Sequence, residues 1–127
     1  TTFQRSSDLG RQMNQVFVGI SFGILRRKLK YLCEMNGIRY VEQEESYTSM
    51  ASFWDLDEMP VYGEAGLVPP VFSGRRICRG LYQDRSGRRI NADVNGALNI
   101  MRKCNIVSLR ALYDRGDVDT PVRIRIA

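Results

Sequence analysis

Histidine is absent from this 127-residue sequence. That removes Ser–His–Asp triads, Cys–His nucleophile pairs, imidazole general bases and His-ligated zinc. Any catalysis has to run on carboxylates, basic side chains, hydroxyls or bound metal. Cysteine is scarce as well: Cys33, Cys78 and Cys104 lie far apart and never form a CxxC pair, so they build neither a zinc ribbon nor a disulfide framework. The odd count points to a reducing cytoplasm. No apolar run is long enough to cross a membrane. The longest, Val16 to Leu25, is broken by Gly19, Ser21 and Gly23 and falls short of the roughly 20 residues required. The opening TTFQRSSDLG has no apolar signal core and no Met, which suggests a chain cut from a longer one.

What remains is ordinary globular material for one small domain: 43% apolar and 26% charged residues. Nineteen Lys and Arg against fourteen Asp and Glu give a formal charge of +5, which permits a phosphate-rich partner without requiring one.

Residues 1–15 are polar and read as a lead-in. Phe22, Leu25, Leu29, Leu32 and Cys33 then follow a helical period, with Arg26, Arg27, Lys28 and Lys30 on the other faces. Asn36-Gly37 is a helix stop. Ile38 to Gln43, β-branched and aromatic, predicts a strand. Residues 46–74 carry Pro60, Pro69, Pro70, Gly63, Gly66 and Gly74 and predict an irregular insertion, with short strands near Val61-Tyr62 and Val71-Phe72. Asp84-Arg85-Ser86-Gly87 fits a hairpin turn between Arg76–Tyr82 and Arg88–Ile90. A second helix is expected from Asn91, with Val94, Ala97 or Leu98, Met101 and Cys104 on one face. In the tail, Val122, Ile124 and Ile126 alternate with Arg123 and Arg125 like an edge strand or an extended arm. A strand between two helices is an incomplete α/β unit whose edges need partners, from a missing part of the polypeptide or from a second copy.

The most informative segment is Ile90 to Ile100. Asn91 suits an N-cap and Asp93 the first helical turn. The plain reading is that Asp93 only stabilises the helix start. Asn95 and Asn99, however, are polar choices in an otherwise apolar helix, and Gly96 permits close approach. A carboxylate backed by amides suits a hard divalent cation. Arg75, Arg76, Arg79, Arg85, Arg88 and Arg89 crowd one hairpin, with Tyr82 between them. They read either as a solvated charged surface or as a phosphate track on which Tyr82 stacks a base.

Asn91-Ala92-Asp93-Val94-Asn95-Gly96-Ala97-Leu98-Asn99-Ile100 resembles the third RuvC motif of the TnpB-type (OrfB-type) transposon-encoded proteins, which are similar to RNA-guided DNA endonucleases and relatives of type V CRISPR effectors. Asn14 to Gly23, the stretch from Gly37 through Tyr47-Thr48-Ser49, Ser73 to Ile77, Arg79 to Tyr82 and the Pro121-Val122-Arg123-Ile124 ending match in the same order. The resemblance implies an α/β fold: a partial ribonuclease H-like (RuvC-like) core with a β-rich insertion between strand and last helix. Residues 1–45 would hold the crossover helix and strand, 46–90 an insertion replacing the family's zinc ribbon, and 91–127 the catalytic-Asp helix and tail.

It further implies a Mg²⁺-dependent DNA endonuclease with a two-metal site, guided by RNA and acting on DNA in a prokaryotic, nucleoid-associated, cytoplasmic setting. Asp93 matches the third acidic position. The other two belong to motifs that precede this chain, so the 127 residues alone are expected to be inactive. Glu44 or Glu45 as a stand-in competes with ordinary solvated glutamates. Arg75, Arg76, Arg79, Tyr82, Arg88 and Arg89 would contact nucleic acid. No zinc is expected, and Phe53, Trp54, Val61, Tyr62, Val71 and Phe72 would form an apolar core in its place. The alternative is a catalytically inactive nucleic-acid-binding remnant or a repurposed DNA/RNA-binding module. A further option is a fragment that folds by dimerising through its strand edges.

Overall fold

A computed structural model describes residues 2–64, 66, 68–120 and 122–126. The chain divides after Glu42 into two compact units. The first is dominated by helix α1, Thr2–Met35. The polar lead-in expected over 1–15 is therefore helical from Thr2: its residues, Pro-free, extend the turns that the apolar stripe begins. The helix ends where Asn36-Gly37 predicts. Gly37 takes φ +65, the Ile38 amide donates to the Cys33 carbonyl at 2.8 Å, and Asn36 Nδ2 donates to Leu32 O at 2.7 Å, a Schellman closure. The stripe itself is uncovered, with Phe22, Leu25, Leu29 and Leu32 between 44 and 59% exposed.

No strand forms over 38–43. β-propensity is a fit to a paired, half-buried surface, and no described strand lies beside this segment. It is held instead by side chains: Tyr40 Oη donates to Glu42 at 2.9 Å and the Arg26 guanidinium grips the same carboxylate. These bonds, Arg26 first, hold the Glu42 carboxyl at about 2.

The second unit holds a three-stranded antiparallel sheet in the order β1 (Arg75–Cys78), β2 (Leu81–Gln83), β3 (Arg89–Asn91), followed by α2 (Ala92–Cys104) and α3 (Arg110–Arg115). The hairpin at 84–87 forms as expected, and Asp84 fixes it. Its buried carboxylate accepts from Ser86 Oγ and the Arg88 amide, both at 2.8 Å. The run expected as one strand from Arg76 to Tyr82 breaks at Arg79-Gly80, where Gly80 adopts φ +83, giving a second hairpin. Gly74, just before β1, lies so close to β2 that a Cβ there would sit 2.4 Å from the Gln83 carbonyl oxygen.

Among the described residues, sheet content is confined to 75–91. The strands expected at 61–62 and 71–72 do not form, and Val61, Tyr62 and Val71 are 40, 81 and 92% exposed. They add nothing to the apolar core expected of them, because Pro60, Pro69 and Pro70 leave this segment without a ladder to hold it against the sheet. The tail residues Val122, Ile124 and Ile126 are also exposed and without strand structure; alternation alone supplies no pairing edge. Pro121 lies outside the described residues. No described helix is long and apolar enough to cross a membrane.

The core gathers Phe53, Trp54, Tyr82, Ile90, Ala92 and Leu98, with Val94, Leu109, Leu112 and Val118 packed against it. Helix α3, which carries no strong sequence signal, joins through Tyr113. Its ring lies 6.0 Å from Phe53 and 5.5 Å from Trp54, and its hydroxyl donates to the Trp54 carbonyl at 3.1 Å.

Helix α2 buries Ala92, Asn95, Leu98 and Asn99, whereas Met101 is 42% exposed. The inward face is thus rotated from the expected apolar one, because two asparagines take up the backbone of the turn-rich segment 48–53. Asn95 Oδ1 accepts from the Phe53 amide at 3.0 Å and its Nδ2 donates to Ala51 O at 2.9 Å. Asn99 Nδ2 donates to Thr48 O and Ala51 O at 3.0 and 2.8 Å. Asp57 closes the same region, accepting from the Ser52 and Ser73 amides at 2.9 Å and from Ser73 Oγ at 2.6 Å.

Asn95→Leu leaves the buried Phe53 amide without an acceptor and is expected to cost about 1–3 kcal/mol in urea denaturation. Asn95→Asp, which sets a carboxylate oxygen against the Ala51 carbonyl, is expected to cost more. Burial pushes the Asp57 carboxyl up, but hydrogen bonds from Ser73 and Ser52, with Arg102 nearby, outweigh it and leave the pKa below its ordinary 3.8. A depressed folded pKa contributes stability that is complete above the unfolded value and lost as pH falls through the folded one. The stability gap between wild type and Asp57→Asn is therefore expected to be widest near neutrality and to shrink below pH ~4.

Candidate functional site

The sheet has two unlike faces, set by its register. Arg76 pairs with Tyr82 and Tyr82 with Ile90, whereas Arg75 pairs with Gln83 and Gln83 with Arg89. Residues directly opposite one another point to the same side. Tyr82 and Ile90, each 1% exposed, mark the core side. Arg75, Gln83 and Arg89 therefore form a row on the outer side, with a guanidinium at each end. Arg76 belongs to the inner row but lies on the edge strand and stays exposed, and Arg79 is exposed in the first turn.

In the second turn, the Arg85 amide donates to Asp55 Oδ2 at 3.0 Å, and the Arg88 guanidinium lies 4.6 Å from the Trp54 ring centroid. Arg88 is thus partly committed to a cation–π contact, while Arg75, Arg79 and Arg89 carry no such partner among the described residues. Tyr82 does not stack bases. Its ring is buried and its hydroxyl donates to the Met50 carbonyl at 2.8 Å. Burial, with Asp57 and Asp55 close by, pushes its pKa up to about 12. Alternation puts position 82 on the same side as Ile90, and only the packing shows that this side meets the core.

At the start of α2, Asn91 is the N-cap: its Oδ1 accepts from the Asp93 and Val94 amides at 2.9 and 3.1 Å. The Asn91 amide itself donates to Asp119 Oδ2 at 3.0 Å. Asp93 is exposed in the first turn, and among the described residues no hydrogen bond or ion pair occupies its carboxylate. Asn95 and Asn99 do not back it. They turn inward to the 48–53 backbone, and what approaches Gly96 is the Thr48 carbonyl, 3.9 Å from where a Cβ would stand.

Glu44 is not brought to Asp93 as a ligand. Lys103 Nζ pairs with it and the Ser46 amide donates to it at 2.9 Å, and these bonds, Lys103 first, hold its carboxyl at about 2. Glu45 is exposed. Among the described residues, no three His, Cys, Asp or Glu side chains gather closely enough to hold a metal ion. A two-metal site needs about six oxygens per ion, so the described residues do not by themselves fit one.

Sequence alone does not mark Asp57 and Asp119 as structural anchors: Asp57 holds the Ser52 and Ser73 amides and Asp119 the Asn91 amide, and neither carries a local signal. A family model described as Cas12f1-like, TNB domain, matches residues 22–100. No curated protein and no solved structure matches the chain.

The cap offers a local test. Asn91→Ala removes the acceptor for two helix-start amides and is expected to lower stability by about 1 kcal/mol, read as a shift of the urea midpoint, with Asn91→Ser recovering most of it.

Proposed function

We propose, from the premise that this chain belongs to the Cas12f1-like family and so to the TnpB/Cas12-type RNA-guided nucleases, that it grips nucleic acid with the outer face of its sheet and presents Asp93 to a cleavage site completed by residues outside it. The observation that carries this reading is the Arg75–Gln83–Arg89 row. Two exposed guanidiniums flank a side-chain amide on one flat face, with Arg79 and Arg76 exposed nearby. Guanidiniums pair with phosphate oxygens through forked hydrogen bonds, and the amide can donate to or accept from a sugar or base edge. Duplex and single strand both offer such phosphates, so the face suits DNA and guide RNA alike.

Asp93 has the attributes of a ligand held in reserve: an exposed carboxylate, a capped helix start that fixes its backbone, and a helix locked from within by Asn95 and Asn99. In a RuvC-like site Mg²⁺ would activate water and stabilise the leaving oxygen. The described residues do not gather the donors for that, so the contribution proposed here is one carboxylate and phosphate contacts. The Phe53–Trp54 core, closed by Tyr82 and Tyr113, supports the reading that packing replaces a zinc ribbon here.

The test separates the two roles. Arg75→Ala and Arg89→Ala are each expected to weaken DNA and RNA binding at all sequences and to reduce the slope of log affinity against log salt by about 1. Asp93→Ala is expected to leave binding intact while abolishing cleavage by the guide-loaded nuclease. Unchanged cleavage would leave the chain a binding module only. Salt-independent binding, or none, would remove the proposal.

A further inference from the structure

At the Arg75 end of the arginine row, a cleft of about 460 Å³ opens beside β1, lined by Met50, Phe72, Gly74, Arg75 and Arg76 among others. Its aromatic wall does not end at Phe72. The Phe72 ring centroid lies 5.8 Å from that of Tyr47, with planes tilted by 42°, and Tyr47 lies 6.2 Å from Tyr62, tilted by 33°. Three rings thus run in a row, starting at two exposed guanidiniums and ending at Tyr62, which is 81% exposed.

The middle ring is held at a conformational cost. Tyr47 takes φ +64, a region that bulky residues avoid, and the turn keeps it there because the Met50 and Ala51 amides both donate to its carbonyl, at 3.0 and 2.9 Å. Strain of this kind persists where the surroundings over-determine it and is common at ligand sites. An exposed tyrosine at the end of an aromatic row, with Met50 also 54% exposed, is apolar surface that the fold leaves to water.

We infer that this cleft and ring row form a binding site for unpaired nucleotides of a single strand, with phosphates on Arg75 and Arg76 and bases stacked on Phe72 and Tyr62. The inference rests on the reading that this chain binds nucleic acid, and it adds which form of nucleic acid and which residues. The chemistry is specific. A partner that covers aromatic rings and arginines together has to be flat, apolar on its faces and anionic at its edge, as a nucleotide is. The bases of a duplex have their faces occupied by their neighbours, so only an unstacked base can use the rings. The volume lies within the range of small-ligand clefts.

The experiment measures anisotropy of a labelled oligothymidylate, an oligouridylate and a DNA duplex of equal length with the 127-residue chain. A parallel oligonucleotide carries 2-aminopurine, whose fluorescence falls on stacking. Tyr62→Ala and Phe72→Ala are each expected to weaken single-strand binding about tenfold, to leave duplex binding unchanged and to relieve the 2-aminopurine quenching. The pattern with either the DNA or the RNA strand supports the site and names the polymer. Tyr62 is exposed, so its variant keeps the fold; Phe72→Leu serves if circular dichroism shows Phe72→Ala unfolded. Equal losses on single strand and duplex, or no loss on either while Arg89→Ala still weakens both, would overturn this inference and leave the proposed function standing. A wild-type chain that binds none of the three would overturn both.

Discussion

Within the turn-rich stretch 48–53, Thr48, Ala51, Ser52 and Phe53 are buried, and buried amides and carbonyls that lack a ladder partner each cost about as much as a lost hydrogen bond. Two primary amides on α2 meet that demand. Asn95 supplies an acceptor and a donor, Asn99 two donors, and both side chains are fully buried. With the backbone satisfied, Phe53 and Trp54 can face inward and meet Tyr82 and Ile90 from the sheet and Leu98 from the helix. The position of Asp93 at the head of α2 follows from that helix being fixed, and β3, which leads into it, carries the Arg89 end of the arginine row.

Much of this was legible locally. Asn36-Gly37 ends α1, Asp84 to Gly87 turns the hairpin, and Asn91 caps α2, because each signal acts on backbone within a few residues of itself. The failures share one cause. The run 38–43 and the tail at 122–126 have strand-like composition, but a strand is a relation between two segments, and no described segment pairs with either. Alternation tells which residues share a side, not which side meets the core, and so leaves Tyr82 open to an outward reading. Asn95 and Asn99 stand out in the sequence as polar residues in an apolar helix. Their partners lie more than forty positions away, and nothing near them in sequence showed whether they face a cation or a carbonyl.

The candidate site divides in the same way. Arg75 and Arg89 stand where a charged hairpin puts them, but their alignment across Gln83 depends on a register shift between Arg76 and Cys78. Arg88, equally basic in composition, lies against Trp54. Charge counts treat the arginines as one population, and packing separates them into those free to meet phosphate and one partly occupied with an indole.

The asparagine contacts also bear on how a chain of this kind can vary in length. Each amide meets a carbonyl or N–H at a set count along 48–53, so losing or gaining one residue between Thr48 and Phe53 would set every donor against the wrong group at once. The described residues between Val61 and Val68 are exposed and send no such bonds to α2. Relatives can be expected to drift in length there while keeping the short span opposite the two amides to the residue.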